Sequence, residues 1–297
     1  MTHTLPPQDN NPALSSRRNI LKSAALATAA SAAAFGMHAA AQTGAPRPAA
    51  SAPAGRKVAL VTGSSRGIGA ATARRLAADG FRVTVNCVAN RDLAAAVVRE
   101  IQAAGGEAIW EQADVSDPRA VRRLFDANDK AFGGIDVVVS NAGIMRLAPM
   151  RDMTDEDFNR MMDVNLKGSF YVMREAARRV RDGGRIIALS SSITQLRSPT
   201  YGPYAASKAA QDFYANVLAK ELEGRMISVN ALAPGLVNTT LFTDGKTPAQ
   251  IAGFAQRTPH KRLGEPADIA GVISLLCSTT EGGWVNGQTV FANGGVV

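Results

Sequence analysis

Tyr204 and Lys208 stand four residues apart in the run Y-A-A-S-K. On a helix, that spacing places two side chains one turn apart on the same face. A phenol in water ionises at about pH 10, and a fixed cation beside it favours the phenolate. The expectation is a Tyr204 whose pKa is lowered by Lys208, able to pass a proton to or from a substrate oxygen near neutral pH. Tyrosine and lysine at this spacing are also common on ordinary amphipathic helices. The reading therefore depends on what else the chain brings to the pair.

A second stretch could supply a ligand. Gly63-Ser64-Ser65-Arg66-Gly67-Ile68-Gly69 follows an apolar run and opens a helical one. Glycines between a strand and a helix allow a tight turn and let backbone N–H groups approach a pyrophosphate at the helix N-terminus. The spacing is G-x-x-x-G-x-G, and a glycine-rich turn alone is also only a turn.

The elements that must position these residues alternate in type. Strands are expected at Lys57–Val61, Arg82–Cys87, Glu107–Gln112, Asp136–Ser140, Arg185–Ser190, Met226–Leu232 and Gln288–Ala292. Helices are expected at Gly67–Asp79, Arg91–Ala104, Asp117–Phe132, Tyr201–Gly224 and Pro266–Cys277, with one long helix from Asp155 to about Arg181. In that long helix, apolar residues recur at helical spacing (Phe158, Met161, Met162, Leu166, Phe170), and its methionines read as core filling. Strands alternating with helices imply an α/β fold, one doubly wound Rossmann domain with a seven-stranded parallel sheet and helices on both faces. Ligands in such sheets bind beyond the carboxyl ends of the strands. The polar and glycine-containing residues lie there: Thr62-Gly63, Asp114, Asn141-Ala142-Gly143, Ser190-Ser191-Ser192 and Pro234-Gly235.

Composition limits the alternatives. With 46% hydrophobic and 20% charged residues, 297 residues suffice for a sizeable core. Of the net charge of +8, residues 1–55 contribute +3, and the other basic residues are scattered or form short helical clusters such as Arg174, Arg178, Arg179 and Arg181. Those clusters read as solvated helix faces, and no nucleic-acid partner is expected. Cys87 and Cys277 form neither a disulfide framework nor a metal-ligand pattern, and His3, His38 and His260 are far apart, so no metal is expected.

Residues 1–41 read as an address. Ser16-Arg17-Arg18-Asn19-Ile20-Leu21-Lys22 precedes the soft apolar run Ser23–Phe35, and Ala39-Ala40-Ala41 precedes Gln42. A basic start, a short apolar stretch and an A-x-A-like end form a signal peptide. The S-R-R-N-I-L-K run resembles a twin-arginine export signal, with Ile20 where Phe is usual. An Ala-rich N-terminal helix is the plainer alternative. Residues 42–55, with Gly44, Pro46, Pro48, Pro53 and Gly55 among alanines, read as a flexible linker, and 56–297 as the folded domain. The expected location is periplasmic, reached through the twin-arginine export machinery.

T-G-S-S-R-G-I-G, Asp114-Val115, N-A-G at Asn141, N-L-K-G at Asn165, Ser191, Y-A-A-S-K at Tyr204 and P-G-L-V-N-T at Pro234 occur in this order. From about Arg56 to Val297 the chain resembles the short-chain dehydrogenase/reductase family, closest to its 3-oxoacyl-carrier-protein-reductase-like branch. Ser140 and Asn293 depart from the pattern, standing where Asn and Asp are usual.

The resemblance implies roles residue by residue. Tyr204 is the acid/base. Lys208 lowers its pKa and holds the nicotinamide ribose. Ser191, rather than Ser190 or Ser192, bonds the substrate oxygen. Asn165 holds a water that links Lys208 to solvent. The cofactor lies against Gly63, Ser65, Arg66, Gly67, Ile68, Gly69, Asp114, Val115, Asn141, Ala142, Gly143, Pro234, Gly235, Val237 and Thr239, besides Tyr204 and Lys208. A homotetramer is also implied, and the apolar end Val296-Val297 could join an interface.

An acid at the end of the second strand would bind the ribose 2′-hydroxyl and repel a 2′-phosphate. Here that stretch reads Asn86-Cys87-Val88-Ala89-Asn90-Arg91, and Arg66 and Arg91 could each meet a phosphate. NADP(H) is therefore expected in preference to NAD(H). Residues 144–153, 193–202 and 236–262 should border the substrate. Ile144, Met145, Leu147, Leu196, Leu236, Leu241 and Phe242 point to a small, partly apolar carbonyl or alcohol. The branch resemblance implies an acyl thioester, which an exported protein would not meet on cytosolic acyl carrier protein. A non-catalytic nucleotide sensor is the alternative from another class, although all four active positions are filled.

Overall fold

The computed structural model describes residues 55–297. The export signal expected over 1–41, and the linker over 42–55 except for Gly55, lie outside the described residues. Seven parallel strands form one sheet in the order β3-β2-β1-β4-β5-β6-β7. They are β1 Val58–Val61, β2 Arg82–Cys87, β3 Ala108–Gln112, β4 Ile135–Ser140, β5 Val180–Leu189, β6 Ser228–Pro234 and β7 Thr289–Ala292. The helices are α1 Gly67–Ala78, α2 Arg91–Ala103, α3 Pro118–Phe132, α4 Asp155–Met161, α5 Ser169–Arg179, α6 Ile193–Leu196, α7 Gly202–Glu221, α8 Thr240–Thr243, α9 Pro248–Gln256 and α10 Pro266–Cys277.

Helices cover both sheet faces, as wholly apolar strand runs such as Val58–Val61 require. On one face Ala59 and Val61 pack with Leu76 of α1, Val97 and Ile101 of α2, and Ile269 and Ile273 of α10. On the other, Leu60 packs with Leu124 and Phe125 of α3, Val172 and Met173 of α5, and Ala215 of α7. The strand order reverses between β1 and β4, which places a crevice at their carboxyl ends.

Side chains hold that crevice open. The Thr62 hydroxyl accepts from the Asn141 and Ala142 N–H groups at 3.0 and 3.1 Å, and Asn141 Nδ2 donates to the Thr62 and Gly63 carbonyls at 2.8 and 3.1 Å. Asn86, buried at the end of β2, accepts from Gly63 N–H at 3.0 Å and donates to the carbonyl of Ala113 at 3.1 Å. One asparagine on each side therefore fixes the glycine turn to the neighbouring strands.

The long helix expected from Asp155 to about Arg181 is not continuous. Between α4 and α5, Met162–Gly168 forms a π turn, and the helix stops at Arg179 where β5 begins. A π turn inserts one residue into the helical ladder and changes which side chains face inward. Gly168 sits so close to Val115 that a Cβ there would lie 2.8 Å from Val115 Cγ2. Phe158 and Phe170, expected on the inward face, are exposed. Segment 236–262, read only as a pocket border, contains α8 and α9.

Candidate active site

Two adjoining cavities open at the carboxyl ends of the strands. The smaller, about 210 Å³, is lined by the glycine turn (Gly63, Ser65, Arg66, Gly67, Ile68, Gly69) together with Asp114, Val115, Asn141, Ala142, Gly143 and Thr239. The larger, about 430 Å³, is lined by Ser191, Tyr204, Lys208, Pro234, Gly235 and Val237 among others. Ile68, Asn141, Gly143, Thr239 and Leu241 belong to both walls.

The smaller cavity suits the diphosphate part of a dinucleotide. Gly63 and Gly67 have φ of +61° and +56°, the left-handed region that side chains resist. A Cβ on Gly69 would lie 2.5 Å from both Asn141 Nδ2 and the Gly63 carbonyl oxygen. The turn therefore leaves bare backbone where a diphosphate would lie. The first turn of α1 has no side-chain cap, so its N–H groups remain available to an anion. Arg66 is exposed on the wall and makes no ion pair with another described residue. The end of β2 presents Asn86, Cys87 and Val88 and no carboxylate. Arg91 does not share this position with Arg66: it lies off the cavity wall, and its Nε donates to Gln112 Oε1 at 2.7 Å.

Asp114 is held from two sides. Ser116 donates to one oxygen through its N–H and its hydroxyl at 2.9 and 2.7 Å, and Arg160 donates to the other at 3.0 Å. Burial raises the carboxyl pKa, but these hydrogen bonds outweigh it and hold Asp114 below the ordinary value. Arg160 also lines the smaller cavity and was not among the expected site residues. It lies just before the π turn, in a segment read only for its apolar spacing.

At the larger cavity, Tyr204 lies near the start of α7, 7% exposed, and Lys208 follows one turn later, 5% exposed. The lysine ammonium donates to the Leu189 carbonyl at 2.7 Å and lies 6.0 Å from the centre of the Tyr204 ring. The expected lowering of the Tyr204 pKa is not found. Burial pushes the phenol up to about 12, with only the Ser191 hydroxyl opposing through a hydrogen bond. Burial also brings Lys208 down to about 8, with the nearby Asp212 carboxylate opposing. Desolvation acts on each group separately and exceeds their mutual influence. Asp212, four residues after Lys208, was legible in the sequence as a possible partner on the same helix face. Burial raises its own pKa, and its Oδ1 is buried without a hydrogen-bond partner among the described residues.

The serine register separates clearly. Ser190 Oγ donates to the Lys208 carbonyl at 3.2 Å, and Ser192 Oγ donates to the Ala233 carbonyl at 3.1 Å while accepting from Asn293 Nδ2 at 3.2 Å. Both are buried in backbone contacts, and Ser191 is the hydroxyl beside Tyr204.

Asn165 lies on the π turn and is fully buried. Its side chain is engaged with the protein: Oδ1 accepts from Ile144 N–H at 2.8 Å, and Nδ2 donates to the Ile144 carbonyl at 2.9 Å and to Ser207 Oγ at 3.1 Å. Its main-chain carbonyl accepts a 3.4 Å contact from Gln211 Nε2.

Of the expected pocket border, Met145, Leu196, Leu236, Leu241 and Phe242 line the larger cavity, Ile144 lines the smaller, and Leu147 lines neither. Tyr201, Phe254 and Arg257, within the expected segments 193–202 and 236–262 though not singled out there, also line the larger cavity.

Known proteins resemble the chain across this region. Residues 63–297 match a family described as enoyl-(acyl carrier protein) reductase. A short-chain type dehydrogenase/reductase from Picea abies is 41% identical over 253 residues, covering 82% of this chain and 93% of the relative. An NADPH-dependent aldehyde reductase-like chloroplastic protein from Arabidopsis thaliana is 42% identical over 260 residues, covering 82% of this chain and 96% of the relative. Among solved structures, a short-chain dehydrogenase from Burkholderia cenocepacia in complex with NADP aligns with a TM-score of 0.76 and 38% identity, covering 81% of this chain and 97% of that one.

Proposed function

The chain belongs to the short-chain dehydrogenase/reductase family, and from that premise we propose that it interconverts a carbonyl and a secondary alcohol with NADP(H). The observation that carries this reading is the meeting of Ser191, Tyr204 and Lys208 on one cavity wall, beside the cavity of the glycine turn. The nicotinamide supplies or accepts the hydride. Tyr204 moves the proton at the substrate oxygen. Its raised pKa keeps the hydroxyl protonated at neutral pH, the form that donates to a carbonyl oxygen during reduction. Ser191 presents a second donor to the same oxygen, and both stabilise the negative charge that develops there. Lys208 is the residue placed to hold the nicotinamide ribose. Asn165 sets the position of Ile144 and so of the Gly143 backbone that forms part of both walls.

The preference for NADP(H) rests on Arg66 and on the absence of an acid at the end of β2. It is supported by the NADP-bound structure to which the chain is 38% identical and by the NADPH-dependent relative. A 3-oxoacyl thioester is the second substrate reading, favoured by the acyl-carrier description of the matching family. Paired donors from Tyr204 and Ser191 suit a carbonyl oxygen better than the carbon–carbon double bond of an enoyl thioester.

We also read the chain as an exported homotetramer. Support for export comes from the twin-arginine-like run around Arg17-Arg18 and the Ala39–Ala41 end. Support for self-association comes from apolar side chains left exposed on the domain, including Phe170, Phe213, Trp284 and Phe291. Cell fractionation and sedimentation equilibrium test these two readings.

The central test follows NADPH absorbance with a panel of ketones, aldehydes and a 3-oxoacyl thioester, with Tyr204→Phe as control. Turnover by the wild type and its loss in the variant are expected. Equal rates in both would refute the assignment of Tyr204.

A further inference from the structure

The wall of the larger cavity carries a cation that hydride transfer does not use. Arg257 closes α9, with its N–H donating to the Phe254 carbonyl at 3.1 Å. Its guanidinium carbon stands 5.7 Å from the centre of the Phe254 ring, and that ring meets Phe242 edge-on at 5.3 Å. All three side chains line the cavity. Arg257 is exposed, and no carboxylate among the described residues lies within ion-pairing distance of it. No Asp or Glu lines the cavity. Five residues on, Arg262 is held by both oxygens of Asp268, which shows how this segment treats an arginine with a structural task. The other cation in the wall, Lys208, is buried against the Leu189 carbonyl.

The geometry relates Arg257 to the reacting end. Tyr201 meets Tyr204 edge-on at 6.4 Å between ring centres. The charge of Arg257 reaches the Tyr201 hydroxyl, where it opposes the burial that raises that phenol. Tyr204, Tyr201 and Arg257 therefore follow one another along the cavity. Between the donors and the guanidinium the wall is apolar, with Met145, Leu196, Phe242 and Phe254 among its residues. The cavity, about 430 Å³, would take the nicotinamide end of the cofactor at Lys208 as well as the substrate, so the substrate is a small organic molecule.

We propose that the substrate is an aromatic or otherwise apolar carbonyl compound bearing an anionic group, with its carbonyl at Tyr204 and Ser191 and its anion at Arg257. This inference rests on the carbonyl–alcohol reading above. A guanidinium on the cavity rim offers a carboxylate two parallel donors, stronger than neutral hydrogen bonds. A purely structural Arg257, stacked on Phe254, would give no preference for charge in the ligand.

The test compares 4-acetylbenzoate with its methyl ester, which share the ketone and differ in charge. Wild type, Arg257→Gln and Arg257→Lys are measured in two ways: kcat/KM with NADPH, and calorimetric binding of each compound in the presence of NADP⁺. The wild type is expected to prefer the carboxylate by about tenfold or more, and the preference should shrink as salt is added. Arg257→Gln should bring the ratio close to one, and Arg257→Lys should keep part of it. A wild type without preference, or an Arg257→Gln variant that weakens both compounds equally, overturns the proposal. If neither ketone is reduced but the binding preference is present and lost in Arg257→Gln, the anion site stands and the carbonyl–alcohol reading falls. Equal turnover and equal binding of both compounds give the converse.

Discussion

Asn165 grips Ile144 from both sides, accepting from its N–H at 2.8 Å and donating to its carbonyl at 2.9 Å. A side chain thus does what a neighbouring strand would do, at a point where the chain leaves the sheet. Asn165→Ala removes the partner of both groups at once. A cost of about 2–4 kcal/mol is expected, seen as a melting temperature lower by roughly 5–10 °C. The rate should fall as well, because Gly143 lies next to Ile144. A variant as stable and as active as the wild type would show that the grip is dispensable.

Tyr204→Phe keeps the ring and removes the hydroxyl. The expected loss in reductive kcat is about 10²–10⁴-fold, the usual range for a positioned acid. Stability should change by about 1 kcal/mol or less, because only one hydrogen-bonding group is removed. Thermal unfolding separates this outcome from a folding defect.

Lys208 sets a pH limit on the free enzyme. With its pKa brought down to about 8 by burial, it is charged below that pH and neutral above it. The pH profile of kcat/KM for NADPH reports groups on the free enzyme. That profile should be flat at acid and neutral pH and fall above about pH 8, through one proton. The Tyr204 phenol, pushed up to about 12, contributes no break in this range. A profile flat to pH 10 would remove Lys208 from cofactor binding.

The same lysine carries a stability cost. Its folded pKa of about 8 lies below the ordinary 10.5, so between those values the unfolded chain holds a proton that the folded protein has released. Stability from this group therefore rises with pH across that window, and the full penalty is present below it. The penalty is about 3 kcal/mol from the size of the shift, partly offset by the bond to Leu189. Lys208→Met should melt no lower than the wild type at pH 7 while losing activity. A large drop in melting temperature would show that the Leu189 bond outweighs the buried charge.

Arg66→Ala should raise KM for NADPH by about tenfold through loss of a charge-assisted hydrogen bond, with much less effect on NADH. Steady-state kinetics with both cofactors gives the ratio. An unchanged ratio would remove Arg66 from phosphate recognition.

Strands and most helices were legible because runs such as Val137–Val139 and amphipathic segments such as α3 declare themselves within a few residues. The rim followed from topology, since the polar residues after β1, β3, β4, β5 and β6 lie at the same edge of a parallel sheet. Three features were not legible, for different reasons. The π turn at Met162–Gly168 shifts helical spacing by a single residue, which a pattern of apolar positions absorbs unnoticed. The ionisation of Tyr204 depends on depth below the surface, and spacing along a helix does not encode depth. Arg257 lies in a segment read only as a pocket border, and its place on the cavity wall depends on how α9 packs, which the capping box at Thr247 and Gln250 marks as a helix but does not orient.

Ile68, Asn141, Gly143, Thr239 and Leu241 face both cavities at once. A molecule that fills the smaller space therefore becomes part of the surface met by a molecule entering the larger one. Kinetically, this makes the nucleotide the leading reactant and the last product to depart. Product-inhibition patterns should then be those of a compulsory-order mechanism, with NADP⁺ competitive against NADPH and the alcohol product competitive against neither reactant.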